Sequence, residues 1–194
     1  MRLSAFFYYA LIILGLAGVG ASELGGAVVP KNFFHFGVGL IGLGIALGGL
    51  ESTLQRRVGF RMSDDGYSDY DGLPALIVGL MALSIGAAIV GAAYLLAQGR
   101  WHSTVEALLR RPGPILAAAG FLFAGIGALF LVNPGGRSGL VWTVFVRVPK
   151  VLIGLVLLVA GFGGIALGAW EFIQPQAFDR FARTMPPPIV WLAH

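Results

Sequence analysis

Long runs of apolar residues alternate with short polar connections along most of the 194-residue chain. A helix that crosses the hydrocarbon core of a bilayer, about 30 Å thick, needs about 20 mostly apolar residues because each residue rises about 1.5 Å. Backbone groups in lipid must satisfy their own hydrogen bonds, so runs of this length predict helices. Five runs qualify or nearly do, and they cover residues 3–22, 33–50, 73–97, 114–133 and 149–172.

The pattern predicts an all-α integral membrane protein, a bundle of about five spanning helices with short interfacial helices. Residues 51–72 form the long polar loop, and Asp71 with Pro74 close behind it is typical of a capped helix start. Residues 98–113 and the tail 173–194 place apolar side chains against charged ones, which favours short helices lying in the interface. We expect one membrane domain over residues 1–194, with four spans as the alternative if the first two segments form one kinked unit.

Glycines recur at a spacing of seven residues in the last three apolar segments, and Gly39 with Ala46 in the second segment fits the same frame. Seven residues are close to two helical turns, so both members of a pair lie on one helix face. In lipid, helices associate where small residues let their backbones approach closely. The glycines predicted to lie at helix contacts are Gly39, Gly44, Gly48, Gly79, Gly86, Gly120, Gly127, Gly154, Gly161, Gly164 and Gly168.

Composition agrees with a membrane protein, since 57% of the residues are hydrophobic and 11% are charged, against about 25% charged in a soluble domain. The net charge of +4 comes from cations between apolar runs, where anionic lipid head groups attract them, so nucleic acid is not an expected partner. The absence of cysteine excludes disulfides and thiolate metal sites. Abundant Arg, Gly and Ala suggest a bacterial cytoplasmic membrane.

Two groups of residues suggest ligand binding. His35 lies among phenylalanines at the start of the second segment, a setting that suits a haem or chlorophyll ligand or, alternatively, an interfacial aromatic belt. Hard cations prefer several oxygen ligands, so the loop carboxylates are candidates for a cation site, although their spacing excludes an EF-hand. These carboxylates belong to Asp64, Asp65, Asp69 and Asp71. We expect no intrinsic cofactor, only lipids or pigments bound by neighbouring subunits.

Catalysis needs convergent titratable groups, and the apolar segments hold almost none, so we expect no enzyme. Glu23, Glu51 and Glu171 lie at helix ends and are interpreted as interfacial acids. The chain is expected to be an accessory subunit of a larger membrane complex, such as a respiratory or photosynthetic assembly, in contact with other integral membrane subunits and lipids. A small homo-oligomeric transporter or channel is the alternative. Aromatic side chains expected to dock a partner are Tyr67, Tyr70, Phe178, Phe181 and Trp191.

Overall fold

The computed structural model describes residues 3–25, 32–61, 67–132, 143–182 and 184. Along these residues the chain forms seven α-helices and one two-stranded hairpin. In chain order they are α1 Leu3–Leu24, α2 Asn32–Gln55, β1 Arg57–Arg61, β2 Tyr67–Asp71, α3 Leu73–Ala97, α4 Trp101–Arg110, α5 Gly113–Val132, α6 Val148–Ile173 and α7 Pro175–Ala182. A π-helical turn, Thr143–Arg147, leads into α6.

Helices α1, α2, α3, α5 and α6 are long and apolar enough to cross a membrane, which confirms the predicted number of such helices. The short amphipathic helices α4 and α7 lie within the segments predicted to be interfacial. The chain divides into two compact units, Met1–Trp101 and His102–His194. The single membrane domain expected from the sequence stays a prediction.

The polar loop differs from the all-α prediction, because β1 and β2 form an antiparallel hairpin inside it. Val58 and Phe60 alternate with polar or small residues along β1, a pattern that favours strands. At the base of the hairpin, the Gly72 N–H donates a hydrogen bond to the Arg56 carbonyl oxygen at 2.8 Å. The hairpin therefore follows directly after the end of α2 and leads directly into the start of α3.

The expected carboxylate cap of α3 is wrong. Gly72, with a φ of 71°, precedes the helix, and no side chain caps it. Asp71 instead lies opposite Arg57 in the hairpin, where the Arg57 Nε is 3.3 Å from its carboxylate. Pro74 does lie in the first turn of α3, where its missing N–H has no helical partner to lose.

In the first unit, α2 and α3 pack backbone to backbone through glycines. A Cβ on Gly49 would lie 2.7 Å from the Gly79 carbonyl oxygen, and a Cβ on Gly42 would lie 2.9 Å from that of Gly86. In both pairs the midpoint between the two residue numbers is 64, and the paired residues of the hairpin strands have the same midpoint. One antiparallel register therefore runs through α2, the hairpin and α3.

Another face of α2 packs against α1. A Cβ on Gly15 would lie 2.6 Å from the Gly37 carbonyl oxygen, and a Cβ on Gly44 would lie 2.9 Å from that of Tyr8. The Tyr8 ring lies beside Gly48. Helix α2 thus has glycines on two faces, one for each neighbour.

The second unit repeats the glycine arrangement in the antiparallel pair α5 and α6. A Cβ on Gly120 would lie 2.5 Å from the Gly161 carbonyl oxygen, and a Cβ on Gly127 would lie 2.6 Å from that of Gly154. Gly168 lies against Gly113 in the same register. The spacing of seven residues on both helices therefore brings three successive levels of small residues together.

Small residues form the closest backbone contacts, and many of the large apolar side chains are exposed. Among the described residues, the buried apolar ones are Ala75, Ala93, Phe178 and Ala182, and no large side chain is fully buried. Val159 and Phe162 on α6 are 70% and 60% exposed. This distribution is the reverse of a water-soluble core, where Leu, Ile, Val and Phe are the residues most often buried.

Candidate functional site

The proposed cation site in the loop stays a prediction. Asp64 and Asp65 lie outside the described residues, and the side chains of Tyr67, Asp69 and Tyr70 on β2 are also outside the description. The Asp71 side chain is 64% exposed and paired with Arg57. Within the described part of the chain, no group of three His, Cys, Asp or Glu residues is placed to hold a metal ion.

His35 lies in the first turn of α2, and its ring contacts the Phe34 ring edge to face at 5.8 Å between centroids. Its Nδ1 atom is buried and has no hydrogen-bond partner among the described residues. His102 is exposed on α4, and His194 lies outside the description. Ligation of a haem or chlorophyll by His35 stays a prediction.

The aromatic side chains of α7 pack against their own chain. The Trp170 ring lies 6.0 Å from that of Phe178 and 5.0 Å from that of Phe181, measured between centroids. Phe178 is only 6% exposed, so it does not present the free docking surface expected of it. The amphipathic sequence of α7 finds its apolar partner on α6, while Trp191 lies outside the described residues.

The predicted contact glycines of α3, α5 and α6 lie at helix contacts. Gly39 makes only an ordinary contact, with the Ala93 Cβ at 3.7 Å. Gly44 and Gly48, which were also predicted, contact Tyr8 of α1. The two closest approaches of α2, at Gly37 and Gly49, are at glycines that the sequence analysis did not single out, although Gly42 and Gly49, like Gly37 and Gly44, are also seven residues apart. The contact glycines that it missed are Gly15, Gly37, Gly42, Gly49 and Gly113.

The three helix-end acids differ in their surroundings. Glu23 is exposed at the end of α1, and Glu51 accepts a hydrogen bond from the Gln55 amide at 2.7 Å. Glu171, near the end of α6, is only 7% exposed and is the buried charged residue of the described chain. Its carboxylate Oε2 accepts a hydrogen bond from the Gly113 N–H, the first N–H of α5. A carboxylate at this position satisfies a donor that has no helical partner and complements the positive end of the helix dipole.

A cavity of about 460 Å³ opens beside this contact. Pro114, Ala117, Ile165 and Phe172 are among its apolar lining residues, and Arg111 and Glu171 supply charged groups of opposite sign. The cavity thus lies where α5 begins and α6 ends, with a guanidinium and a carboxylate at an apolar wall.

The lining of this cavity combines an apolar wall with two opposite charges, which suits binding of a ligand. The described residues around it include no hydroxyl, imidazole or amine that could act as a nucleophile or shuttle a proton beside Glu171. Glu171 already acts as a hydrogen-bond acceptor for the backbone, a structural role. Its contact with Gly113 joins residues 58 positions apart, which no local pattern indicates.

No protein family, curated protein or solved structure matches the chain.

Proposed function

We propose that this chain is an integral membrane protein of the bacterial cytoplasmic membrane and serves as a non-catalytic accessory subunit of a larger membrane complex. The observation that carries the proposal is its reversed packing, with glycine backbones at the contacts and large apolar side chains outside. In lipid, close backbone approach stabilises helix pairs, and outward apolar side chains meet acyl chains or neighbouring subunits.

The uses of the described polar side chains support the accessory role. Three serine and threonine hydroxyls on the spanning helices donate to their own helix: Ser52 to Gly48, Thr53 to Gly49 and Ser84 to Leu80. Glu171, the buried carboxylate, holds the start of α5. These groups form hydrogen bonds within the chain. We therefore expect partners to bind at the exposed helix faces and the loop. A respiratory or photosynthetic assembly, with its lipids or pigments, fits this role.

A small homo-oligomeric transporter or channel is a weaker candidate. It needs polar groups that line a path through the bilayer. The described serine and threonine hydroxyls of α2 and α3 instead satisfy carbonyl oxygens four residues earlier in the same helix, as expected for such side chains in lipid.

The test is to solubilise the native membrane in a mild detergent and to analyse every complex that contains this 20.4 kDa chain by native mass spectrometry. We expect a larger assembly in which the chain is present at fixed stoichiometry with other integral membrane subunits. Recovery of the chain only as a monomer or homo-oligomer would contradict the accessory role, and recovery in the soluble fraction would contradict the membrane placement.

A further inference from the structure

We propose that the cavity between the start of α5 and the end of α6 binds one zwitterionic phospholipid whose head group carries a phosphate and a primary ammonium, as in phosphatidylethanolamine. The inference rests on the proposed membrane placement. The cavity lies at the ends of two helices that are each long enough to span a bilayer, which is the depth of lipid head groups.

Arg111 provides the group for the phosphate. Its side chain is exposed, lines the cavity and forms no ion pair with a described carboxylate. A guanidinium presents a planar fork of donors that binds phosphate oxygens in pairs. The lipid phosphate would therefore lie on the Arg111 side of the cavity.

Glu171 provides the group for the ammonium. Only its Oε2 is engaged, by the Gly113 N–H, and its Oε1 has no hydrogen bond with a described residue. A carboxylate can accept several hydrogen bonds, and a primary ammonium offers three donors. The ammonium would place a positive charge beside a carboxylate that is shielded from water by the helix pair.

The apolar lining and the cavity size fit a lipid. Pro114, Ile165 and Phe172 form part of the wall, and Phe172 is 89% exposed on the outside of the helix pair. Acyl chains can therefore leave the cavity along the outer face of α6. The volume of about 460 Å³ lies within the range of about 300–1,000 Å³ that is usual for small-molecule sites.

The two charges also predict which lipids bind less well. A phosphatidylglycerol head group has no cation for Glu171 and brings its negative charge towards a buried carboxylate, which is unfavourable. A phosphatidylcholine head group carries a quaternary ammonium without N–H donors, so it cannot donate a hydrogen bond to the carboxylate. The expected order is phosphatidylethanolamine first, with the other two lipids below it.

The test is native mass spectrometry of the delipidated full-length protein, titrated with the three lipids carrying identical acyl chains. We expect one bound phosphatidylethanolamine and about tenfold weaker binding after Arg111→Gln, as for loss of one charge-assisted hydrogen bond. Arg110→Gln is the matched control, because Arg110 is adjacent and exposed but does not line the cavity. Equal effects of the two variants would overturn the proposal.

Glu171→Gln should abolish the preference for phosphatidylethanolamine over phosphatidylcholine. Since that change also alters the cap of α5, Ala169→Phe tests the site separately by filling the cavity from the exposed face of α6, with Ala166→Phe as its control. Loss of lipid binding only in Ala169→Phe supports the site, and equal binding in both variants overturns it.

Two further outcomes would overturn the inference while leaving the proposed function intact. One is equal binding of phosphatidylethanolamine and phosphatidylglycerol by the unmodified, membrane-extracted protein. The other is binding of glycerophosphoethanolamine, the head group without acyl chains, as tightly as the lipid, which would indicate a water-soluble ligand. Absence of the chain from the membrane fraction would instead contradict the proposed function.

Discussion

Glu171 joins the two helices of the second unit at their ends. Its carboxylate accepts the first N–H of α5 from a position near the end of α6, so one side chain fixes both the helix start and the pairing. The buried location strengthens this contact, because water does not compete for either partner.

Replacing Glu171 with Ala should lower the free energy of unfolding by about 1–3 kcal/mol, since a buried donor loses its acceptor. Glu171→Gln should have a smaller effect because its amide oxygen can still accept the hydrogen bond. Thermal unfolding in detergent measures the difference. Glu106→Ala, at an exposed carboxylate on α4, is the control and should shift stability by less than about 0.5 kcal/mol. Equal shifts for Glu171→Ala and Glu106→Ala would contradict the capping role.

Helix pairs in both units are held by glycines that are seven residues apart. The contacts are between backbones, so a single methyl group added at one of them meets main-chain atoms that cannot rotate away. Gly20 on α1, Gly91 on α3 and Gly163 on α6 instead face open space. These three helices therefore each provide a glycine that can serve as a control.

Gly161→Ala should destabilise the α5 and α6 pair by about 1–3 kcal/mol, the usual range for overpacking. Its Cβ would lie 2.6 Å from the Gly120 carbonyl oxygen and also meet the Ala124 backbone. Gly163→Ala has nothing within 4 Å and should be neutral or stabilising by up to about 1 kcal/mol, because alanine favours helix more than glycine does. Denaturation in a graded detergent mixture, followed by circular dichroism, compares the two. Similar losses in both variants would show that helix propensity, not close packing, decides the outcome.

The sequence predicted the long helices because length and hydropathy are properties of a local run of residues. It missed the hairpin because the charges of residues 57–71 obscured the alternation of Val58 and Phe60. It found the seven-residue spacing and correctly included Gly44 and Gly48, which contact α1. Towards α3 it favoured Gly39, where Gly42 and Gly49 make the closer contacts. Several sets of glycines share one helix there, and only the position of the neighbouring helices distinguishes them.

The candidate site could not be predicted from the sequence, for a different reason. Glu171 was recognised as an acid at a helix end, but its partner Gly113 is 58 residues away and has no side chain to mark it. The cavity depends on that pairing, as does the position of Arg111 beside it. Contacts between distant backbone and side-chain atoms leave no periodic signal.

At the scale of the molecule, the chain consists of two compact units whose contacts are mainly internal. The first unit contains the glycine-packed pairs of α2 with α3 and α2 with α1, and the second contains the pair of α5 with α6. Local opening of one unit therefore need not disturb the other.

Hydrogen exchange should show this independence. Gly161→Ala is expected to speed amide exchange in α5 and α6 about tenfold, the change that corresponds to 1.4 kcal/mol, and to leave α2 and α3 unchanged. Gly86→Ala, whose Cβ would lie 2.6 Å from the Gly42 carbonyl oxygen, should do the reverse. Exchange measured by mass spectrometry after peptic digestion resolves the helices. Faster exchange in both units of either variant would contradict the division.

The common register of α2, the hairpin and α3 restricts the insertions and deletions that this region can accept during evolution. Deletion of one residue inside β1 would invert the faces of that strand and turn the preceding helix by about 100° relative to its partner. Gly49 would then no longer meet Gly79. A change of length in one strand of the hairpin therefore preserves the helix contacts only when the other strand changes by the same number of residues.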